Sequence, residues 1–300
     1  MYFSLASIGL KIVCLKIELL FGSNLCTKIA LFIMNIFTPF FVIKKNLELL
    51  FSLTWRDIKS KYSGSVIGWF WALVTPLIML GVYTFVFSVV FNARWGGQIE
   101  SKSQFALFLF SGLIQFNFFS ESLNTSAGSI LGNENYVKKI IFPLEVLPLV
   151  SCSVSLFHFC LGFLVWLAGY ILIIGTPSAS IFFFPFLFFP FILFVIGLSW
   201  LCSSLSVYLR DLPYILSLVT TLLLFMSPIF YSISSVPRNF QWILELNPLT
   251  PFIETGRNLL MQGTFPSFLN YCVCLIVGLV TFLLGFRVFS KVKRGFPDVL

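Results

Sequence analysis

Val146–Ile174, VLPLVSCSVSLFHFCLGFLVWLAGYILII, and Ile181–Tyr208, IFFFPFLFFPFILFVIGLSWLCSSLSVY, decide the fold. Neither contains an Asp, Glu, Lys or Arg, and each exceeds the roughly 20 apolar residues needed to cross a bilayer core. A helix on a soluble surface keeps a polar face, and these two keep none. Working outward, four more apolar runs have comparable character: Ile67–Phe91, Phe105–Leu123, Tyr214–Ile233 and Phe268–Phe289. Pro76, Pro148, Pro185, Pro190 and Pro228 interrupt several of the six, which is tolerated where neighbouring helices re-satisfy the freed backbone. The fourth run is long enough to hold a short re-entrant start before its main helix. Across the chain 58% of residues are hydrophobic, 10% are charged and the mean hydropathy is +0.99. Soluble domains carry about 25% charged residues, so the expected fold is an all-α, polytopic integral membrane protein with six transmembrane helices.

The net charge of +8 would suggest nucleic acid as a partner in a soluble protein. Here the placement of the cations sets orientation instead. Lys11, Lys16, Lys28, Lys44, Lys45, Arg56, Lys59 and Lys61 precede the first run; Lys138, Lys139 and Arg210 follow the second and fourth; Arg287, Lys291, Lys293 and Arg294 close the sixth. The opposite side holds Arg94, Lys102, Arg238 and Arg257. Fifteen cations of 19 on one side put both termini in the cytoplasm. The seven Cys form no CxxC pair and no cluster with the single His, so neither a metal site nor a disulfide framework is expected. Cys152, Cys160, Cys202, Cys272 and Cys274 read as small hydrophobes within apolar runs.

Residues 1–45 read as an N-terminal extension, interfacial or partly disordered, and lack a convincing signal peptide. Ile29–Ile43 would lie in the interface or form a seventh span, and Met34 is an alternative start. Residues 46–294 form the membrane domain and 295–300 a cytoplasmic tail. In Asn46–Tyr62, NLELLFSLTWRDIKSKY, the residues Leu47, Leu50, Phe51, Leu53, Thr54 and Ile58 share one helical face, with Arg56, Lys59, Ser60 and Lys61 mostly opposite. Trp55 lies at the boundary, as interfacial tryptophans do. The pattern predicts an amphipathic helix on the inner leaflet, leading through the small-residue hinge Ser63–Gly68 into the first span.

Trp55–Phe91 resembles the opening signature of type-2 ABC exporter permeases, in particular those moving O-antigen, capsule or teichoic acid. The matching residues are Arg56-Asp57, Lys59, Tyr62, Ser65, Gly68, Trp71, Pro76-Leu77, Tyr83 and Val86-Phe87. Ser227–Gly263 is similar to a second family segment, with Ser227-Pro228, Phe230-Tyr231, Pro237, Asn247-Pro248-Leu249-Thr250-Pro251 and Arg257. The physics of that segment agrees. Trp242–Leu246 and Phe252–Met261 have helical apolar spacing but are too short to span, and the Asn247–Pro251 element between them breaks the helix twice. They are expected to be short re-entrant helices on the external side before the last span. Arg238, Glu245, Glu254 and Arg257 would face water or pair with one another.

The resemblance implies roles. Trp55, Arg56, Asp57 and Lys59, with Glu134, Tyr136, Lys138 and Lys139 in the loop Gly128–Phe142, would couple to an ATPase. The bland reading of that loop is a solvated turn whose lysines only fix topology. Tyr83, Phe87, Phe225, Phe230 and Tyr231 would line a substrate path, although packing alone explains any single aromatic. Asn247, Pro248, Pro251 and Arg257 would form an external gate. No GxxxxGK[ST] loop occurs, so the chain is expected to be a transport subunit without an ATPase site of its own. ATP and Mg would bind to a separate ABC ATPase present in two copies, and a second copy of this chain would complete the machine. The expected cargo is a lipid-linked polysaccharide and the expected location the cell inner membrane. Export of a drug or small lipid is the alternative, with a membrane-embedded glycosyl- or acyltransferase behind it. Within the spans, Glu121 and Glu145 lie near ends where both can reach water. His158, with no carboxylate evident at its depth, reads as a neutral group bonded between helices.

Overall fold

The computed structural model describes residues 38–64, 68–86, 102–138 and 142–300. The chain divides into two compact units, Met1–Leu49 and Leu50–Leu300. In the first, residues 38–45 are helical and end at Asn46, whose side-chain amide donates to the Val42 carbonyl at 2.8 Å. Most of the predicted Ile29–Ile43 segment lies outside the described residues.

Among the described residues the second unit is built of helices and has no strand. Its elements are α1 (Leu47–Tyr62, beginning in the first unit), α2 (Trp71–Tyr83), α3 (Lys102–Ala127), α4 (Glu134–Val137), α5 (Val146–Ile173), α6 (Phe184–Tyr208), α7 (Leu212–Met226), α8 (Arg238–Leu246), α9 (Leu249–Gln262), α10 (Phe268–Val292) and α11 (Phe296–Val299). Among the described residues, four helical segments are long and apolar enough to cross a membrane: Ser103–Ala127, Val146–Ile173, Ala179–Tyr208 and Phe268–Val299. The other two expected spans are shorter apolar helices, Trp71–Val86 and Leu212–Met226.

One boundary differs from the sequence reading for an identifiable reason. The fifth run was expected to continue to Ile233, yet α7 stops at Met226. Ser227 adopts an extended conformation (φ −103°, ψ 147°), as a residue before proline prefers, and Pro228 cannot continue the hydrogen-bond ladder. The fourth run does begin with a separate short piece, a 3-10 turn over Ala179–Phe183 capped by Ser178, before α6. The hinge before α2 turns at Gly64 (φ +85°) and Gly68 (φ +60°), left-handed conformations that glycine adopts without a Cβ clash.

The least apolar of the four long helices is the most enclosed. The α3 segment has a mean hydropathy of 1.2, against 2.1 to 2.7 for the other three, and its Ser111, Gln115, Ser122 and Ser126 are fully buried. Ser111, Gln115 and Ser126 return their donors to backbone carbonyls three or four residues earlier, which makes their burial affordable. Around α3 the aromatic core is continuous, with Phe159 stacked on Phe188 at 4.4 Å and Phe118 against Phe188 and Phe191. In lipid, helices associate through close van der Waals approach rather than hydrophobic expulsion. The contact of α6 with α10 shows this: a Cβ on Gly197 would strike the Thr281 backbone, one on Gly278 the Pro190 carbonyl, and one on Gly285 the Gly197 carbonyl. Trp200 seals the same seam against Phe282 and Phe286, each at 5.2 Å, and its indole donates to the Glu145 carbonyl at 3.0 Å.

Candidate functional site

The predicted coupling residues come from segments some 80 positions apart, and the fold brings them together. The Arg56 Nη1 donates to the Tyr136 hydroxyl at 2.9 Å, while its Nε and Nη2 reach the Asp57 Oδ1 at 3.0 and 2.9 Å. The bond to Asp57, and then that to Tyr136, hold the Arg56 guanidinium above its ordinary pKa. Tyr136 sits on α4, a single helical turn, and its ring stacks on Phe142 at 4.4 Å. Lys138 lies 4.0 Å from Glu134 across that turn, and the Lys59 amine stands over the Trp55 ring at 5.3 Å. Lys139 lies outside the described residues. In α1 the predicted apolar face divides: Leu53 and Ile58 are buried, whereas Leu47 and Phe51 are exposed, and Phe51 with the boundary residue Trp55 leaves an apolar ridge beside Arg56 and Lys59.

Two acids behave differently from expectation. Glu145 does not reach water; it is 5% exposed and its carboxylate takes an ion pair from Lys293, drawing the end of α10 onto the start of α5. The absence of a carboxylate at the depth of His158 is also corrected. The His158 Nδ1 lies 2.8 and 3.0 Å from the two Glu121 oxygens, its Nε2 lies 2.8 Å from the Tyr62 hydroxyl, and Lys61 pairs with Glu121 at 2.8 Å.

The path candidates also meet in part. Tyr83 approaches Phe230 at 6.1 Å, Phe225 approaches Phe230 at 5.9 Å, and the Tyr231 hydroxyl donates to the Phe225 carbonyl at 2.7 Å. Phe87 lies outside the described residues. Phe225 is 62% exposed, so this group, drawn from α2, α7 and the segment after α7, forms an open ridge rather than an enclosed channel within one copy.

The broken segment after α7 is held by buried polar groups. Asn247 donates to the Met226 carbonyl at 3.2 Å and the Ser227 hydroxyl at 3.0 Å, and its own oxygen accepts the Leu249 N–H at 3.0 Å. It therefore closes the gap between α8 and α9 and ties both to the end of α7. Pro248 precedes the first residue of α9, and Pro251 falls in its first turn, where a missing N–H costs little. The Thr250 hydroxyl returns to the Leu244 carbonyl at 2.6 Å. Arg257 does not face water: it is 2% exposed, with Nη1 donating to the Pro228 carbonyl at 2.6 Å, Nη2 at 3.7 Å from Glu254, and its guanidinium 4.6 Å from the Phe108 ring centre. Burial holds the Glu254 carboxyl above its ordinary pKa, and the Arg257 charge offsets only part of that rise. Gly256 lets this helix approach α3, since a Cβ there would collide with the Gln115 amide.

The chain matches the ABC-2 type transporter family over residues 48–261, a stretch running from α1 through α9. It belongs to that family. Among relatives of this ABC-2 protein, an O-antigen export system permease protein RfbA of Klebsiella pneumoniae is 32% identical over 266 residues, covering 86% of this chain and 98% of the relative. The polysialic acid transport protein KpsM of Escherichia coli is 25% identical, covering 83% of this chain and 94% of the relative. A capsule polysaccharide export inner-membrane protein CtrC of Neisseria meningitidis is 21% identical over 253 residues. The ABC-2 chain is thus a multi-pass transport component of the inner membrane rather than an enzyme. Its matched region contains the Arg56–Tyr136 contact, the broken α8–α9 segment and the Glu121–His158 pair. The last of these was missed in the sequence because its two partners lie 37 positions apart on different helices.

Proposed function

We propose that this chain is the permease subunit of an ATP-driven exporter that moves a lipid-linked polysaccharide of O-antigen type across the cytoplasmic membrane. The observation that carries this reading is the junction of α1 with α4 through Arg56 and Tyr136, in a chain whose relatives over nearly their full length are polysaccharide export permeases. That junction makes one polar platform from two segments, suited to receiving a soluble partner. In this reading α2, α3, α5, α6, α7 and α10 are six spans, both termini are cytoplasmic, and α8 and α9 are re-entrant helices closing the external end. ATP and Mg belong to a separate ABC ATPase, two copies of which act on two copies of this chain. Substrate passes between the two copies, along the Tyr83, Phe225 and Phe230 ridges. Flat aromatic faces suit the C–H surfaces of sugar rings without holding any one sugar tightly.

Loss of the partner ATPase should leave lipid-linked glycan inside the cell, detected by extracting the lipid carrier and by surface labelling of intact cells. Normal surface glycan without the ATPase would reject this function. Reporter fusions at Trp95 and at Arg238 should read as external, and a cytoplasmic signal at either would break the orientation.

A further inference from the structure

We propose that Glu121 and His158 are positioning residues for transport, forming with Lys61 and Tyr62 the joint through which α1 drives the second and third membrane helices. The inference rests on the exporter reading above and adds a route for the stroke inside the permease. The last two residues of α1 make its connections: Lys61 holds the Glu121 carboxylate on α3 at 2.8 Å, and Tyr62 holds the His158 ring on α5 at 2.8 Å. His158 then closes the circuit by bonding Glu121 at 2.8 Å. With a carboxylate at Nδ1, that nitrogen donates to Glu121, while Nε2 faces the Tyr62 hydroxyl.

This arrangement has what a joint needs. After Tyr62, Gly64 and Gly68 both adopt positive φ, so α1 does not run on into α2 as one helix. The side-chain links from Lys61 and Tyr62 therefore join α1 to α3 and α5 independently of the backbone that leads on to α2. The His158 and Glu121 side chains are 17% and 25% exposed, partly removed from water, so their contact is less screened than the open Arg56–Asp57 pair at 51% and 42%. Beside the joint lies a cavity of about 420 Å³, lined by Lys61, Tyr62, Glu121 and His158 at its polar end and by Pro76 and Ile114 among its apolar walls. Its volume gives α1 and α2 room to shift against α3 and α5 without overlapping packed side chains. No other contact between α1 and the long helices combines two ion-pairing or hydrogen-bonding links in one circuit among those described.

The test uses the permease assembled with its ATPase, comparing ATP hydrolysis with surface glycan. Glu121→Ala should leave ATPase assembly and hydrolysis intact and lower glycan exported per ATP roughly tenfold, the size of a typical lost coupling contact. The charge swap Lys61→Glu with Glu121→Lys should recover a large part of that ratio, and His158→Gln, which can still donate to Glu121 and accept from Tyr62, should outperform His158→Phe. A permease with Glu121→Ala that exports as the unaltered protein does would overturn the joint. So would a swap no better than either single change, or a loss of export matched by an equal loss of folded permease in all variants, His158→Gln included. Failure of the exporter reading is distinguishable, because then deleting the ATPase would also leave surface glycan unchanged.

Discussion

The two ends of this protein solve the problem of a broken helix in opposite ways. At the charged end, α1 is joined to α4 through Arg56–Tyr136, a contact that water reaches. At the other end, α7, α8 and α9 are held by Asn247 and Arg257, whose donors run to backbone carbonyls in a dry interior. Exposed ion pairs contribute about 0 to 1 kcal/mol, whereas stripping one partner from a buried charged group costs about 3 to 5 kcal/mol. The first end can exchange partners at little cost, and the second cannot. That asymmetry suits a machine driven from one face and sealed at the other.

The comparison breaks most visibly at Arg257. Arg257→Leu should strand the Pro228 carbonyl and Glu254 and destabilise the protein by about 3 kcal/mol or more. Arg257→Lys should recover only part of this, because a single ammonium cannot reproduce the fork reaching Pro228 and Glu254. Thermal unfolding of the purified protein in detergent checks both, and an Arg257→Leu protein as stable as the original would show that the broken segment is held by apolar packing alone. Next in size is the α6–α10 seam, common to both ends. Gly285→Leu places a side chain against the Gly197 carbonyl and should cost about 1 to 3 kcal/mol or separate the two helices. The smallest stability effect belongs to Arg56→Ala, at most about 1 kcal/mol. A larger loss would mean that the charged end is as fixed as the other.

How far these features were legible in the sequence follows the same division. The membrane class and the long spans were readable because Val146–Ile173 and the Ala179–Tyr208 segment carry no charge that would need a polar face. The charged residues of α1 and of the loop around α4 were readable as two clusters, but the Arg56–Tyr136 contact was not, since nothing in either local pattern specifies the other. Glu121 and His158 were misjudged for a geometrical reason. Glu121 lies about 9 Å from the end of α3 and His158 about 18 Å from the start of α5 at 1.5 Å per residue, so helices with level ends would separate them. The offset between the two helices removes that difference, and such an offset is a property of packing. Arg257 was expected to face water or to pair with a neighbouring charge, and it does pair with Glu254; its burial against the Pro228 carbonyl is a tertiary contact that no local pattern specifies. The break at Ser227–Pro228 was in plain view and shortens the fifth run by simple proline chemistry.

The claim that the α1–α4 platform is where the ATPase engages is tested most directly by one measurement on the double variant Arg56→Ala with Tyr136→Ala. Permease abundance in the membrane, ATPase recovered with it on purification and surface glycan are followed together. The account predicts unchanged abundance with a roughly tenfold fall in bound ATPase or in export, the size of a typical coupling energy. Normal ATPase recovery together with normal surface glycan would contradict it.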